Sequence, residues 1–161
     1  MDEERAEYLV SRYADLLVRI GYTWLGDMDD AQDICQTVLL RLLEDMRTFP
    51  DSGQERAWVI RLAVNACKNW KKTAWFRHRA PLEDGLQLTV QMPDLEEGSL
   101  LEQVQRLPPM YRQAIFLRYY EGYEVKEIAR LLGRSPALVS THLKRGKEKL
   151  KTMLGGMEYA R

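Results

Sequence analysis

Residues 124–150 read EVKEIARLLGRSPALVSTHLKRGKEKL and have the clearest structural pattern in the sequence. A short apolar stripe at helical spacing precedes Gly133, and glycine most easily makes the tight turn that ends a helix. Ser135 is suited to capping the next helix and Pro136 to its first position, where proline loses no intrahelical hydrogen bond. The pattern predicts a helix-turn-helix, whose second helix enters the major groove of DNA.

The second helix of this pattern carries the side chains that we expect to contact a DNA duplex. Arg145 can bind a guanine through two hydrogen bonds, whereas Lys147 lies further along and is suited to balancing phosphate charge. A plain helical hairpin with a charged surface is the alternative interpretation. The candidate contacts are Ser140, Thr141, Lys144, Arg145 and Lys147.

Gly146 is unusual inside this helix, because a glycine there costs about 1 kcal/mol relative to alanine. Two explanations are open: it allows a neighbouring segment to approach closely, or it permits a small bend. The packing around residue 146 separates the two.

Residues 99–123 complete the same domain. Ser99 to Glu102 fits a capping box that opens a short helix. Pro108 and Pro109 restart the chain before another helix, which Gly122 ends. Residues 99–161 are therefore predicted to form one small, wholly helical domain.

Residues 1–80 predict a second helical domain, a bundle of three helices. The first has a single apolar stripe and ends at Gly26. The second is predicted to run to about Thr48, and Asp29 or Asp30 is expected to accept hydrogen bonds from its first N–H groups.

The third helix of the bundle, predicted from about Glu55 to Thr73, has side chains that suit nucleic acid. Cations can contact phosphates, and exposed aromatic rings can stack on unpaired bases. The alternative is that the tryptophans belong to the core and the cations simply face solvent. At spacings of 4, 3 and 4, one helix face carries Arg61, Asn65, Lys68 and Lys72, with Lys71 alongside.

The formal net charge of the 161-residue chain is zero, but charge is sorted along the sequence. Residues 51–80 and 124–161 each carry a balance of +5, which suggests polyanion contacts at two places. The segment 81–98 has five acidic residues, two prolines, two glycines and no helical period. It is predicted to be a flexible tether between the two domains.

The sequence also argues against several classes of protein. No apolar run approaches the roughly 20 residues of a membrane span, and the acidic N-terminus lacks the apolar region of a secretion signal. Cys35 and Cys67 therefore predict reduced thiols in a cytoplasmic protein. His78 and His142 are far apart with no cysteines at metal-ligand spacing, and no glycine-rich phosphate loop is present. We expect no catalytic residue, metal or cofactor.

Three segments, in order, resemble the extracytoplasmic-function (ECF) group of bacterial sigma factors. DMDDAQDICQTVLLRLL at 27–43 resembles the polymerase-binding helix of their second conserved region, and AWVIRLAVNACKNWKK at 57–72 is similar to the promoter-melting helix. The stretch from Leu107 to Leu150 resembles the fourth conserved region and is the most specific match. The resemblance covers nearly the whole chain outside the linker.

The resemblance implies an all-α protein that binds core RNA polymerase, recognises promoter DNA and helps to separate its strands. Residues 1–80 would bind polymerase and the unpaired −10 element, and residues 99–161 the duplex −35 element. The implied contacts with the β′ clamp helices are Asp33, Gln36 and Arg41. Those with the −10 strand are the turn at Phe49–Gln54 and Arg61, Asn65, Lys68, Asn69, Lys71 and Lys72.

Further partners are also implied by the resemblance. The β flap of polymerase would bind the fourth region near Tyr119 and Tyr120, and an anti-sigma factor would cover these surfaces. The residues alone leave two other functions open. One is a stand-alone helix-turn-helix regulator with an N-terminal dimerisation bundle, which would bind paired half-sites unaided. The other is an interaction protein that sequesters a partner.

Overall fold

Every regular element that the structure describes is a helix, which confirms the predicted all-α class. The structure is a computed structural model that describes residues 3–45, 47–79 and 100–158, with side chains outside 71–79, 100–101 and 155–158. The chain divides into two compact units, Met1–Pro93 and Asp94–Arg161. The predicted linker at 81–98 lies outside the described residues and stays a prediction.

The described residues of the first unit form three helices, and each turns an apolar side inward. They are α1 (Glu3–Leu25), α2 (Met28–Glu44) and α3 (Ser52–Arg79). Gly26 ends α1 with a φ of 74°, as predicted. The side chains that form the core include Leu9, Tyr13, Leu17, Ile20, Ile34, Val38, Leu39, Ile60 and Val64.

Gly21 of α1 lies against Ala31 of α2 with no room for a side chain. A Cβ atom at residue 21 would stand 2.7 Å from the Cα atom of Ala31 and 3.2 Å from its carbonyl oxygen. These are backbone atoms in a close-packed interior, so they cannot swing aside as the end of a flexible side chain can. The absence of a side chain at Gly21 therefore sets how closely α1 and α2 pack, a requirement that the sequence pattern missed.

The N-terminus of α2 differs from the prediction. Asp27 is the capping residue, and its carboxylate accepts a hydrogen bond from the N–H of Asp30 at 3.0 Å. An extended backbone at Asp27 brings its carboxylate to the free N–H groups. Asp29 and Asp30 lie within the first helical turn, where their charge complements the helix dipole, so the prediction that one of them caps was wrong.

The C-terminus of α2 also comes earlier than predicted. The helix stops at Glu44 rather than near Thr48, because Asp45 adopts an extended backbone. The carboxylate of Asp45 accepts a hydrogen bond from the N–H of Arg47 at 2.9 Å. Such a local side-chain bond offers the backbone an alternative to the helix.

α3 is longer than predicted at both ends, so residues 52–54 of the turn predicted at Phe49–Gln54 belong to its first helical turn. It begins at Ser52, because the carboxylate of Asp51 accepts a hydrogen bond from the N–H of Gln54 at 2.8 Å and so satisfies a free donor of the first turn. Its backbone stays helical to Arg79 rather than ending near Thr73.

Over residues 100–158, the second unit contains four α-helices and one π-helical turn. The α-helices are α4 (Leu100–Gln105), α5 (Pro109–Ile115), α6 (Val125–Leu132) and α7 (Pro136–Glu158). The π turn, Phe116–Tyr120, continues α5 directly, and the N–H of Glu121 donates to the carbonyl oxygen of Phe116 at 3.2 Å. Gly122 closes the element with a φ of 78°, as predicted.

α6 and α7 form the predicted helix-turn-helix. Gly133 has left-handed backbone angles, φ 67° and ψ 40°, and the N–H of Arg134 donates to the carbonyl oxygen of Ala129 at 2.9 Å. Ser135 caps α7, since its hydroxyl oxygen accepts a hydrogen bond from the N–H of Leu138 at 3.1 Å. The orientation of the first turn of α7 is therefore fixed by its cap.

Gly146 allows a close helix contact. It is buried, and a Cβ atom there would lie 3.0 Å from Cγ1 of Ile115 and 3.2 Å from Cβ of Tyr111. Of the two explanations left open by the sequence, the structure supports the close approach of a neighbour, which is α5.

Candidate nucleic-acid and protein interfaces

The buried side of α7 determines which of its residues can meet DNA. Val139, His142, Leu143 and Leu150 face the interior with Gly146. Successive residues of a helix differ in direction by about 100°, so the residues away from the core divide between two flanks. One flank carries Leu138, Thr141 and Arg145, and the other carries Ser140, Lys144 and Lys147. The predicted −35 contacts therefore do not share a single face.

The second flank borders an apolar groove of about 760 Å³. Lysines stand along its rim, and Nζ of Lys147 lies 5.8 Å from the centre of the Tyr119 ring, within range of a cation–π interaction. Tyr119 and Tyr120 are exposed and come from the π turn. The lining includes Val104, Ile115, Tyr119, Tyr120, Leu143 and Leu150. Such a groove suits an amphipathic segment with acidic residues at its edge.

The first flank has a different character. The hydroxyl of Thr141 donates to the carbonyl oxygen of Ala137 at 3.1 Å, so its proton is used within the helix and only its oxygen and methyl group face outward. Leu138 and Arg145, one turn before and one after, are exposed. This flank thus combines the apolar side chain of Leu138 with the guanidinium group of Arg145.

His142 is a buried polar residue that sequence reasoning did not single out for packing. It is only 5% exposed, and its Nδ1 has no hydrogen-bond partner. Its ring centre lies 5.6 Å from that of Tyr111 on α5. Burial lowers the pKa of His142, and the positive charges of Arg134 and Arg145 lower it further. The neutral imidazole is thus the form that packs against α5.

Arg134, in the turn before α7, links the helix-turn-helix to α5. Its Nη2 donates to Oε1 of the buried Gln113 at 3.1 Å. Burial lowers the pKa of its guanidinium, because the charged form loses hydration there. Arg134 therefore positions the turn against α5 as well as adding positive charge beside α7.

On α3, the predicted polar face is partly confirmed as a surface. Arg61, Asn65, Lys68 and Asn69 are exposed. The side chains of Lys71 and Lys72 lie outside the described residues. Of the tryptophans, Trp70 is buried in the core, as the alternative interpretation held, while Trp58 is only half-buried.

Trp58 connects α3 to the turn before it. The guanidinium carbon of Arg47 lies 4.8 Å from the centre of the Trp58 ring, and the ring centre of Phe49 lies 5.2 Å from it. Both contacts are within the usual range for cation–π and aromatic pairs. The Trp58 indole thus contacts two side chains of residues 47–51, a turn that is neither helix nor strand.

Glu55, in the first part of α3, ties this end of the helix to α1. Its Oε1 accepts a hydrogen bond from the hydroxyl of Tyr8 at 2.7 Å and another from the hydroxyl of Tyr13. Burial raises the pKa of Tyr13, and the bond to Glu55 adds to the shift. Tyr13 therefore stays a hydrogen-bond donor at every physiological pH.

The outward face of α2 carries the predicted polymerase contacts. Asp33 and Gln36 are half-buried and Arg41 is exposed, and all three lie away from the core stripe. They lie on the part of α2 that faces away from α1 and α3.

Other kinds of site find no support in the described part of the chain. No group of three or more His, Cys, Asp or Glu side chains there could hold a metal ion. Cys35 and Cys67 are buried and form no disulfide in the described part of the chain, and burial raises the pKa of Cys35 to about 12. None of the described helices has the length and apolar character needed to cross a membrane.

Comparison with known proteins matches both units. Residues 9–77 match the model of Sigma-70 region 2, and residues 97–150 match that of Sigma-70 region 4. The ECF RNA polymerase sigma factor BldN of Streptomyces coelicolor is 28% identical over 83% of this chain, which spans 54% of that protein. SigE of Mycolicibacterium smegmatis is 26% identical over 91% of this chain, which spans 60% of it.

A third relative is matched over most of its own length. SigW of Bacillus subtilis is 25% identical over 95% of this chain and 90% of its own. The sigma factor RpoE, in its co-crystal structure with the anti-sigma factor NepR from Bartonella quintana, has the same fold, with a TM-score of 0.62 and 17% identity over 94% of this chain and 96% of its own. Because the models of regions 2 and 4 match in order and together take in most of its residues, the chain belongs to the sigma-70 family, in its ECF group.

Proposed function

We propose that this chain is an ECF-type sigma factor that binds core RNA polymerase, recognises the −35 and −10 elements of a promoter and promotes strand opening. The observation that carries the proposal is the presence of two separate polar surfaces on helices of two units. One is the exposed first flank of α7, the second helix of the helix-turn-helix, whose N-terminus is capped by Ser135. The other is the face of α3 that bears Arg61, Asn65 and Lys68. A protein that binds one site as a duplex and another as an unpaired strand needs two such surfaces.

The unpaired −10 strand would meet α3 and the turn that precedes it. A base that leaves the duplex loses a few kcal/mol of stacking, which a stacking surface on the protein has to offset. Residues 49–51 and the first turn of α3 suit this, because Trp58 packs on Phe49 and Glu55 accepts a hydrogen bond from Tyr8, while residues 50–54 are exposed. The contacts we propose are Arg61, Asn65, Lys68, Asn69, Lys71 and Lys72.

For the −35 duplex, we propose contacts along α7 from Ser140 to Lys147. The bidentate fork of Arg145 suits guanine, and lysines suit phosphates. Ser140, Lys144 and Lys147 border the apolar groove as well, so they would lie where DNA and polymerase surfaces meet.

Core polymerase would bind both units. The polar surface of Asp33, Gln36 and Arg41 on α2 suits the clamp helices, since exposed charge contributes orientation and specificity to an interface. The apolar groove beside Tyr119 and Tyr120 suits the β flap. An anti-sigma factor that covers these surfaces, a cytoplasmic location, and a regulatory rather than enzymatic role complete the proposal.

Run-off transcription with core polymerase tests the proposal directly. We expect a promoter-directed transcript only when the chain is present. A variant with Gln36→Ala and Arg41→Ala should lose the transcript because it binds core polymerase weakly. The matched control is Arg19→Ala, which removes an arginine of α1 that is paired with Asp15 at 2.8 Å and should keep full activity. Absence of a directed transcript, together with tight binding of the chain alone to duplex DNA, would favour a stand-alone regulator instead.

A further inference from the structure

Leu138 is a large exposed apolar side chain on the first flank of α7, whose other two members, Thr141 and Arg145, are polar. It is 43% exposed and lies in the first turn of α7, between Ala137 and the buried Val139. The cap by Ser135 holds the Leu138 N–H at 3.1 Å, so the direction of its side chain is set by the helix and not by a mobile loop. An apolar group fixed in this way points to a ligand with an apolar feature.

In the major groove, a base pair offers one apolar group, the C5-methyl of thymine. N-terminal residues of the second helix of a helix-turn-helix are those that contact base edges, and Leu138 is one of them. We propose that Leu138 is a specificity-determining residue that contacts the methyl group of a thymine in the duplex −35 element. The inference rests on the proposed function, because it requires that α7 enters the groove.

The positions of Leu138 and Arg145 on this flank also predict the spacing between the two bases that they would contact. Leu138 and Arg145 are seven residues apart on this flank, which corresponds to about 10.5 Å along the helix at 1.5 Å per residue. For α7 lying along the groove, at 3.4 Å per base pair along the duplex axis, this distance spans about three base-pair steps. The thymine read by Leu138 is thus expected about three steps from the guanine read by Arg145.

The experiment uses holoenzyme reconstituted from core polymerase and the full chain. Preferred −35 sequences are first selected from randomised duplex promoters, and each preferred thymine is then replaced by uracil, which lacks only the methyl group. At one thymine, we expect the uracil substitution to lower the promoter affinity of the wild-type holoenzyme about four-fold, because one buried methyl group is lost. Leu138→Ala should bind the thymine and uracil promoters equally.

Met110→Ala is the matched control, because Met110 is similarly exposed at 48% but lies on α5 rather than on α7. It should keep the preference for thymine over uracil, and Leu138→Ala should keep the preference for guanine at the Arg145 position. Equal binding of thymine and uracil at every position by the wild type overturns the inference and leaves the proposed function intact. A Leu138→Ala variant that still discriminates the two bases also overturns it. Failure of the wild type to direct transcription removes both proposals.

Discussion

α7 and α3 both carry candidate contacts with DNA, yet their polar faces are held in place in different ways. α7 is positioned along its length, because Gly146 and His142 pack closely on α5. α3 is also buried along its length, through residues such as Val64 and Trp70. Its beginning has further contacts, because Trp58 packs on the preceding turn and Glu55 binds two tyrosines of α1. A helix fixed along its length suits the regular groove of a duplex, whereas a turn held at a helix start suits bases that have left the stack.

The largest effect is expected for Arg145→Ala. Loss of a bidentate contact with guanine costs about 2 kcal/mol, or about 30-fold in binding to the −35 element. Binding to core polymerase should not change, which co-purification with core enzyme measures. Lys149→Ala, on the same helix but further along, serves as the control and should weaken binding only slightly. Equal loss of polymerase binding in Arg145→Ala would show that α7 does not have a separate role on DNA.

Trp58→Ala tests the way in which α3 is held. Removing the indole takes away the partner of Arg47 and Phe49, and for a half-buried ring we expect a loss of about 2 kcal/mol in the free energy of unfolding. Strand opening should slow, while the preference among −35 sequences should stay the same. Trp58→Phe keeps an aromatic ring and should retain most of both properties. A change in −35 preference would contradict the separation of the two surfaces.

A matched pair of glycine substitutions compares the packing of the two units. Gly21→Ala places a Cβ atom against backbone of α2, so we expect a net loss of about 1–2 kcal/mol after the gain in helix propensity. At Gly146, the nearest atom belongs to the side chain of Ile115, which can shift, so Gly146→Ala should change stability by less than about 1 kcal/mol. Chemical denaturation measures both. Equal effects would mean that α1 and α2 can separate as easily as α7 and Ile115.

Many of the structural features that position α7 and α3 can be predicted from the sequence. The features that cannot be predicted share a cause. The turn at Gly133, the cap at Ser135 and the core stripe of α1 follow local rules, so they were predicted correctly. The choice of Asp27 over its acidic neighbours depends on backbone angles at one residue, and the requirement for Gly21 depends on a distant segment. Neither can be read from local spacing. The division of the α7 contacts between two flanks likewise required knowledge of which side is buried.

The smallest effect is expected from pH and concerns α7. The pKa of His142 is lowered in the folded protein, so the unfolded chain, with a histidine pKa near 6.5, binds the proton more readily. Stability from this group is therefore complete above about pH 6.5 and declines as the pH falls toward the lowered folded value. Thermal unfolding between pH 8 and 5 measures the effect, and His142→Gln should reduce it. Stability that rises on acidification through His142 would contradict its packing as the neutral form.

The most direct test of the contrast between α7 and α3 uses two DNA probes with reconstituted holoenzyme. One probe is a duplex that contains only the −35 element, and the other is an unpaired strand that contains only the −10 element. We predict that Arg145→Ala weakens binding to the duplex probe alone, and that Arg61→Ala combined with Asn65→Ala weakens binding to the single strand alone. If either variant weakens binding to both probes equally, the two helices do not recognise different forms of DNA.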